Sequence, residues 1–226
     1  MEQNWKPIEY KFILLGDSSV GKSSIYHRLS GKSFSEDTMT TLGTEKGIIY
    51  FDNVEIDEKE KTTKNFKIIL FDTAGQERYR AITKTYFKDS QGIILIYSIV
   101  DETSFEHIQT WLDSIKDALS DWKRSGYIIM LLGNKLDIAE EDPETRMIMT
   151  EEGENICSEK GIYWGGECSA KTFDESQLKE IFAKFIKQVY NKLGEEKKDN
   201  EKKNQQIVLI SNKLNDKKRV KCCTPK

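Results

Sequence analysis

Gly16-Asp17-Ser18-Ser19-Val20-Gly21-Lys22-Ser23 follows the pattern G-x-x-x-x-G-K-[ST], directly after an apolar run and before a stretch with Ile25 and Leu29 on one face. Strand, loop and helix start are the setting in which this pattern cradles a polyphosphate. Glycines let backbone N–H groups turn inward around the anion, and a lysine reaches the outer phosphate oxygens. Lys22 fills that role, and the Ser23 hydroxyl stands at the first helical turn, where it can ligate Mg²⁺. The bland alternative, a glycine- and serine-rich turn with a chance lysine, is disfavoured by the flanking strand and helix.

A second element is Asp72-Thr73-Ala74-Gly75-Gln76-Glu77-Arg78, at the end of the apolar run FKIILF. A carboxylate at a strand's C-terminal end lies where open α/β sheets take ligands, and Asp72 can hold Mg²⁺ there through water. With these two elements in place, the chain resembles the small GTP-binding proteins of the Ras superfamily. The full DTAGQER at 72–78 is especially similar to the Rab family.

Asn134-Lys135-Leu136-Asp137 follows the run YIIMLLG and matches that family's guanine box. A carboxylate at Asp137 can accept hydrogen bonds from N1–H and the exocyclic amine of guanine. Adenine lacks both donors on that edge, and such a mismatch discriminates by ~10⁴-fold. The resemblance further assigns Asn134 to the base edge, the Lys135 stem to covering the ring, and the Ala170 N–H within Ser169-Ala170-Lys171 to the guanine oxygen. It places Phe34 with its aromatic edge against the base, and Ser18, Ser19, Val20, Gly21 and Ser24 around the phosphates. Taken alone, NKLD also reads as a solvated turn with an aspartate cap. Order and placement decide: each box follows a predicted strand in the family's sequence.

The segment FSEDTMTTLGTEKG stands where the family has its first switch, and ungapped counting from Lys22 puts the magnesium threonine at Thr41, with Thr40 next door. Such a threonine releases metal and γ-phosphate on hydrolysis, which is the basis of the switch. Gly75 would meet the γ-phosphate, and Gln76 would orient the attacking water, with Lys22 stabilising charge. The implied activity is Mg²⁺-dependent hydrolysis of GTP to GDP, slow without an activating protein because the chain has no inserted domain to bring in an arginine finger. Arg78 is near enough in sequence to be suspected as a finger, but the family pattern favours a structural residue of the second switch. A nucleotide-binding scaffold of the same fold is the alternative function, and a small-molecule kinase would not be expected to carry NKLD.

Three features depart from the Rab pattern. Lys46 replaces an effector-facing phenylalanine, and Phe71 replaces a tryptophan before DTAGQER while Tyr86, the third aromatic of that set, is kept. The hairpin between the switches is longer, with its additional residues in DEKEKTTKN.

The runs at 10–16, 66–72, 92–99 and 127–133 are short, rich in isoleucine and bounded by Gly or Asp, which predicts buried strands of a parallel sheet. Phe105, Ile108, Trp111, Leu112, Ile115, Leu119 and Trp122 repeat at helical spacing, with Thr103 or Ser104 placed to cap the start. Leu178, Ile181, Phe182, Phe185 and Val189 form a second such stripe, with Lys179, Glu180, Lys184 and Lys187 facing away. Residues 46–71 predict a hairpin with a polar connection, DEKEKTTKN. The fold expected is α/β, a mostly parallel open sheet with one antiparallel edge strand and helices on both faces; the resemblance makes it a P-loop GTPase fold. Residues 1–9 form a short extension, 10–193 the nucleotide-binding domain and 194–226 a flexible tail.

Across 226 residues, 37% hydrophobic and 32% charged, the composition predicts a globular domain and excludes collagen-like or wholly disordered chains. The longest apolar stretch, Ile93 to Val100, is far short of the ~20 residues of a membrane-spanning helix. No leader pattern precedes the first strand, so a cytoplasmic protein with reduced thiols is expected. Residues 195–226 carry ten basic and five acidic side chains, against 25 and 33 in residues 1–194, so an acidic body bears a basic tail. A nucleic-acid-binding protein more often carries its basic patch on the folded domain.

The tail ends in Cys222-Cys223-Thr224-Pro225-Lys226 behind the basic run Lys217 to Lys221. Strict C-a-a-X prenylation fits poorly, because Thr224 and Pro225 are not aliphatic. Paired cysteines near the end resemble the Rab arrangement, which implies geranylgeranylation after an escort protein presents the chain. Two lipids beside several bases satisfy the two-signal requirement for stable anchoring. The apolar island Ile207-Val208-Leu209-Ile210 resembles the short motif that Rab tails offer the escort protein. The family's other partners are then expected: exchange factor, GTPase-activating protein, effectors and GDP-dissociation inhibitor, at the cytosolic face of endomembranes.

Overall fold

The structure, a computed structural model, describes residues 6–35, 44–73, 87, 89–119 and 127–194. Its strands are β1 (Ile8–Leu15), β2 (Thr44–Asp57), β3 (Thr62–Thr73), β4 (Gly92–Ser98), β5 (Ile128–Asn134) and β6 (Tyr163–Glu167). They form one sheet in the order β2-β3-β1-β4-β5-β6. Only β2 runs antiparallel to its neighbour; β3, β1, β4, β5 and β6 pair in parallel. The described helices are α1 (Lys22–Leu29), α2 (Glu102–Glu106), α3 (Ile108–Ala118), α4 (Leu136–Glu141), α5 (Thr150–Lys160) and α6 over 175–194. None is long and apolar enough to cross a membrane.

The near-continuous apolar runs follow from burial on both faces of the sheet. Alternate residues of a strand point to opposite faces. Phe12, Leu14, Ile94, Ile96, Met130 and Leu132 therefore join the cluster with Ile25 and Leu29 of α1 and Phe182 and Phe185 of α6. Ile13, Leu15, Ile93, Leu95 and Leu131 join the opposite cluster with Trp111, Leu112 and Ile115 of α3. A fully buried phenylalanine such as Phe185 contributes about 1.5–3 kcal/mol through the area it removes from water. The start of α6 is fixed by reciprocal bonds, Gln177 N–H to Asp174 Oδ1 at 2.8 Å and Asp174 N–H to Gln177 Oε1 at 2.9 Å. These satisfy donors that a helix N-terminus leaves open.

Several expectations need correction. The stripe from Phe105 is not one helix capped by Thr103 or Ser104: α2 starts after Asp101, and His107 interrupts the helix before α3. Ser104 lies inside α2 and accepts from the Ser98 N–H at 3.0 Å while donating to the Asp101 carbonyl at 2.8 Å, tying the helix to the end of β4. Trp122 lies outside the described residues. DEKEKTTKN is not a loop, because only 58–61 turn between the strands and the following residues enter β3. The Asp57 carboxylate closes that turn by accepting from Lys59 and Glu60 N–H at 2.8 and 3.0 Å. A register shift between Phe51 and Val54, with Asn53 at φ 55°, bulges β2. Lys187 reaches from α6 to Glu58 at the hairpin tip, 2.6 Å away.

Apolar periodicity gave no run for β6, the strand that Ser169-Ala170-Lys171 follows, nor stripes for α4 and α5. β6 contains Gly165 and Gly166, which read as loop, yet a side chain at Gly165 would press into Met130 Sδ at 2.8 Å. Close strand approach explains that glycine. α5 buries only Gly153 and Cys157, too narrow a stripe to register as amphipathic.

Candidate functional site

Parallel pairing brings the C-terminal ends of β1, β3, β4, β5 and β6 to one edge of the sheet. Leu14 pairs with Asp72, Ser98 with Asn134, and Gly133 with Glu167. β1 lies between β3 and β4, so the Gly16–Ser23 loop leaves the sheet where strand order reverses, the usual place for a ligand in such folds.

The backbone of that loop demands its glycines. Gly16 has φ 134° and Gly21 φ 98°, both in the left-handed region. A Cβ on Gly16 would collide with the Ile96 carbonyl, and one on Gly21 with the Asn134 side-chain amide. Ser19, at φ 63°, takes a left-handed conformation without being glycine. Ser18 and Ser19 are exposed, Val20 is buried, and Ser24 is half-buried in the first turn of α1.

Lys22 is 4% exposed, with its ammonium folded back to donate to the carbonyls of Gly16 at 3.0 Å and Asp17 at 2.5 Å. Burial lowers its pKa to about 8, against the opposing pull of the Asp72 and Asp17 carboxylates. Ser23 Oγ donates to Asp72 Oδ2 at 2.5 Å. Asp72 is wholly buried, and its Oδ1 has no hydrogen-bond partner among the described residues. Burial raises the carboxyl above the usual range, while the Ser23 hydroxyl and Lys22 pull the other way. A buried, orphaned carboxylate oxygen beside a serine hydroxyl fits a hard divalent cation that takes its other ligands from phosphate and water.

Asn134 ties the sheet edge together. Its Nδ2 donates to the Val20 carbonyl at 2.8 Å, and its Oδ1 accepts from the Ala170 N–H at 3.1 Å. Lys135, at φ 71°, turns the chain so that Asp137 enters the first turn of α4. Ser169 Oγ then donates to Asp137 Oδ1 at 2.5 Å and accepts from the N–H groups of Lys171 and Thr172 at 3.1 and 3.0 Å. Cys168 bridges the two loops through its backbone, donating to the Gly133 carbonyl at 2.8 Å and accepting from Leu136 N–H at 3.1 Å. Lys171 is exposed and Phe34 half-buried in the segment after α1.

Ser23 is thus in direct contact with Asp72, Asn134 with Ala170 and Asp137 with Ser169, and Asn134 meets the Gly16–Ser23 loop at the Val20 carbonyl. Thr40, Thr41, Gly75, Gln76, Arg78, Tyr86 and the tail with Cys222 and Cys223 lie outside the described residues. Lys46 and Phe71, two of the three departures, face each other across the β2–β3 ladder, and Lys11 Nζ lies 5.1 Å from the Phe71 ring centroid.

Two supports went unrecognised in the sequence. Arg146 grips Glu167 in a fork, Nη1 to Oε1 at 2.9 Å and Nη2 to Oε2 at 2.8 Å, with the Thr150 hydroxyl donating to Oε1 at 3.0 Å. This holds the strand end that leads into Ser169. The Asp17 carboxylate contacts His107 and Trp111. Neither pairing has a local spacing that would reveal it.

A sequence profile of the Ras family matches residues 11–191. The human Ras-related protein Rab-44 is 39% identical over 165 residues, which cover 71% of this chain and 14% of that much longer protein. The Ras-related protein RABE1e of Arabidopsis thaliana is 36% identical over 82% of this chain and 77% of its own length. The GTP-binding protein YPT52 of Saccharomyces cerevisiae is 34% identical over 81% of this chain and 83% of its own.

Proposed function

The chain belongs to the Ras family, as a Rab-like small GTPase, and from that premise we propose that it cycles between GTP and GDP to direct membrane traffic. The observation that carries this reading is the Asn134 bridge from the Val20 carbonyl to the Ala170 N–H, which sets the Gly16–Ser23 loop and the Asp137 and Ser169 loops around one space. The loop backbone at Ser18, Ser19, Val20 and Gly21, with Ser24, takes the phosphates. Lys22 turns from the Gly16 and Asp17 carbonyls to the phosphate oxygens. Asp137 accepts from guanine, Ser169 orients that carboxylate, the Ala170 N–H faces the base oxygen, and Lys135, Lys171 and Phe34 border the ring.

Ser23, Asp72 and Thr41 would hold Mg²⁺, which neutralises charge on the phosphates when bound. Gln76 orients the attacking water and the Gly75 N–H meets the terminal phosphate. Hydrolysis is slow until an activating protein engages, and an exchange factor reloads GTP. Effectors meet the outer face of β2, where Lys46, Ile48 and Tyr50 stand exposed in alternation, Ile48 at 53% and Tyr50 at 54%. Prenylation of Cys222 and Cys223, through an escort protein, places the chain on the cytosolic face of endomembranes, and a GDP-dissociation inhibitor retrieves it.

The test is the nucleotide retained by the purified protein and its turnover. Guanine nucleotide and slow GTP hydrolysis, slowed further by Gln76→Leu with binding intact, support the reading. Retained GTP with no turnover favours the scaffold, and adenine nucleotide overturns both. Changing Cys222 and Cys223 together to Ser should release the protein from cell membranes; continued sedimentation with them would remove the lipid anchor.

A further inference from the structure

Residues 16–21 of the Gly16–Ser23 loop have no regular secondary structure, and three of them, Gly16, Ser19 and Gly21, take left-handed φ values. Such a loop needs ties from outside. One is the Asn134 amide on the Val20 carbonyl, at its far end. The other is at its near end: the Asp17 carboxylate accepts from Trp111 Nε1–H at 2.7 Å through Oδ1 and lies 2.5 Å from His107 Nδ1 through Oδ2. A carboxylate accepts only, so His107 Nδ1 carries the shared proton. Both oxygens of Asp17 are therefore committed to residues about ninety positions away in sequence.

The anchor points are themselves fixed. Trp111 is 3% exposed and packs in the apolar cluster beneath α3. His107 ends α2 and begins α3, and its carbonyl accepts from the Trp111 N–H at 3.0 Å, so the two donors are spaced by one helical turn. Ser104 bonds α2 to the end of β4. The other side of Asp17 faces the chemistry, because its carbonyl accepts from Lys22 Nζ. One residue thus joins the helix face to the lysine of the loop.

We propose that Asp17 is a positioning residue whose carboxylate, clamped by His107 and Trp111, holds the Gly16–Ser23 loop in its closed curve and slows the departure of a bound nucleoside diphosphate. The proposal rests on the nucleotide reading above. Opening the loop to release a phosphate group requires its backbone to move, and the clamp resists that movement at the first turn. Removing either side of a hydrogen bond to a charged group leaves the loop easier to open.

The experiment measures release of a fluorescent GDP from the full chain, with melting temperature recorded for every variant. His107→Leu is expected to speed release about tenfold, the scale of one lost hydrogen bond to a charge, and Asp17→Ala, which also loses the Trp111 bond, by at least as much. The double variant should be little faster than Asp17→Ala alone, since removing the carboxylate already removes the His107 bond. His107→Asn keeps a side-chain donor and should restore slow release. In ¹⁵N spectra the Trp111 indole resonance, assigned by its loss in Trp111→Phe, should move in Asp17→Ala. His107 has a side chain 43% exposed, so its variants guard against a simple folding defect. Unchanged release in Asp17→Ala and His107→Leu overturns the proposal while leaving the nucleotide reading intact. Equal acceleration by His107→Leu and His107→Asn, additive effects in the double variant, or release that only tracks melting temperature also overturns it. Failure of the wild-type protein to bind the GDP probe overturns the nucleotide reading itself, and this proposal with it.

Discussion

The Ser169 hydroxyl donates to the Asp137 carboxylate across 32 residues of sequence, at 2.5 Å, so the two loops that border the base space share a proton donor and its acceptor. Ser169 also collects the N–H groups of Lys171 and Thr172, which makes it the hub of its own turn. Asp137→Asn is expected to lower GTP and GDP affinity by at least about tenfold and to relax the preference for guanine over xanthine, because the amide presents a donor where guanine also has donors. Ser169→Ala should give a smaller loss without changing that preference. Titration with both bases checks this; unchanged guanine affinity in Asp137→Asn would remove it from the base site.

Ser23 and Asp72 are in contact at the candidate metal position. Ser23→Asn should weaken GTP more than GDP, by about tenfold, because the triphosphate depends more on the cation that the hydroxyl would ligate. Affinities measured with and without Mg²⁺ decide it. Equal loss of both nucleotides would separate Ser23 from the metal.

Gly21→Ala places a methyl group against the Asn134 amide at a backbone angle of φ 98°. The strain alone costs about 1–3 kcal/mol, and displacement of Asn134 would break its bond to the Val20 carbonyl. Thermal unfolding should therefore shift down by several degrees, with nucleotide affinity falling in the same variant. A variant with wild-type melting and binding would contradict this geometry.

Burial pushes the Cys157 thiol up to about 12 and raises Cys168 as well. The thiolate is the reactive form, so near neutral pH both react slowly with alkylating reagents in the native state. Unfolded thiols ionise first as pH climbs past about 8.5, so this contribution to stability is present below that value and is lost as pH rises through the folded one. Mass spectrometry after brief alkylation of the folded protein should find Cys157 and Cys168 intact, and after unfolding should find both modified. Rapid labelling of Cys157 in folded protein would refute its burial.

Legibility in the sequence followed the range of the forces. The strands β1, β3, β4 and β5 announced themselves because burial on both faces leaves unbroken apolar runs, and the helical stripe of Leu178, Phe182, Phe185 and Val189 followed from one buried face. Lys22, Ser23, Asp72, Asn134 and Asp137 could be singled out as candidates because the motifs that hold them have fixed local spacing after a strand. The Asp17 clamp and the Arg146–Glu167 fork were not, since each joins residues that only the fold brings together. β6 was hidden because close packing against Met130 selects glycine, the residue that elsewhere signals a turn. DEKEKTTKN looked like a loop because polar side chains are compatible with an outer hairpin that β3 pairing extends.

The ends of the sheet carry a further consequence, for solubility. An outer strand offers unpaired backbone groups to any other chain, and β2, with 14 residues, is long enough to template such growth. The bulge between Phe51 and Val54 breaks the regular spacing of those groups midway. Glu45, Asp52, Glu55 and Asp57 are exposed along the same strand, so a second copy laid beside it would bring carboxylates together across a broken register. At the opposite edge β6 is only five residues long and contains Gly166 at φ 87°, which gives an incoming strand little to extend. The sheet is thereby protected from edge-to-edge aggregation by irregularity at one border and brevity at the other.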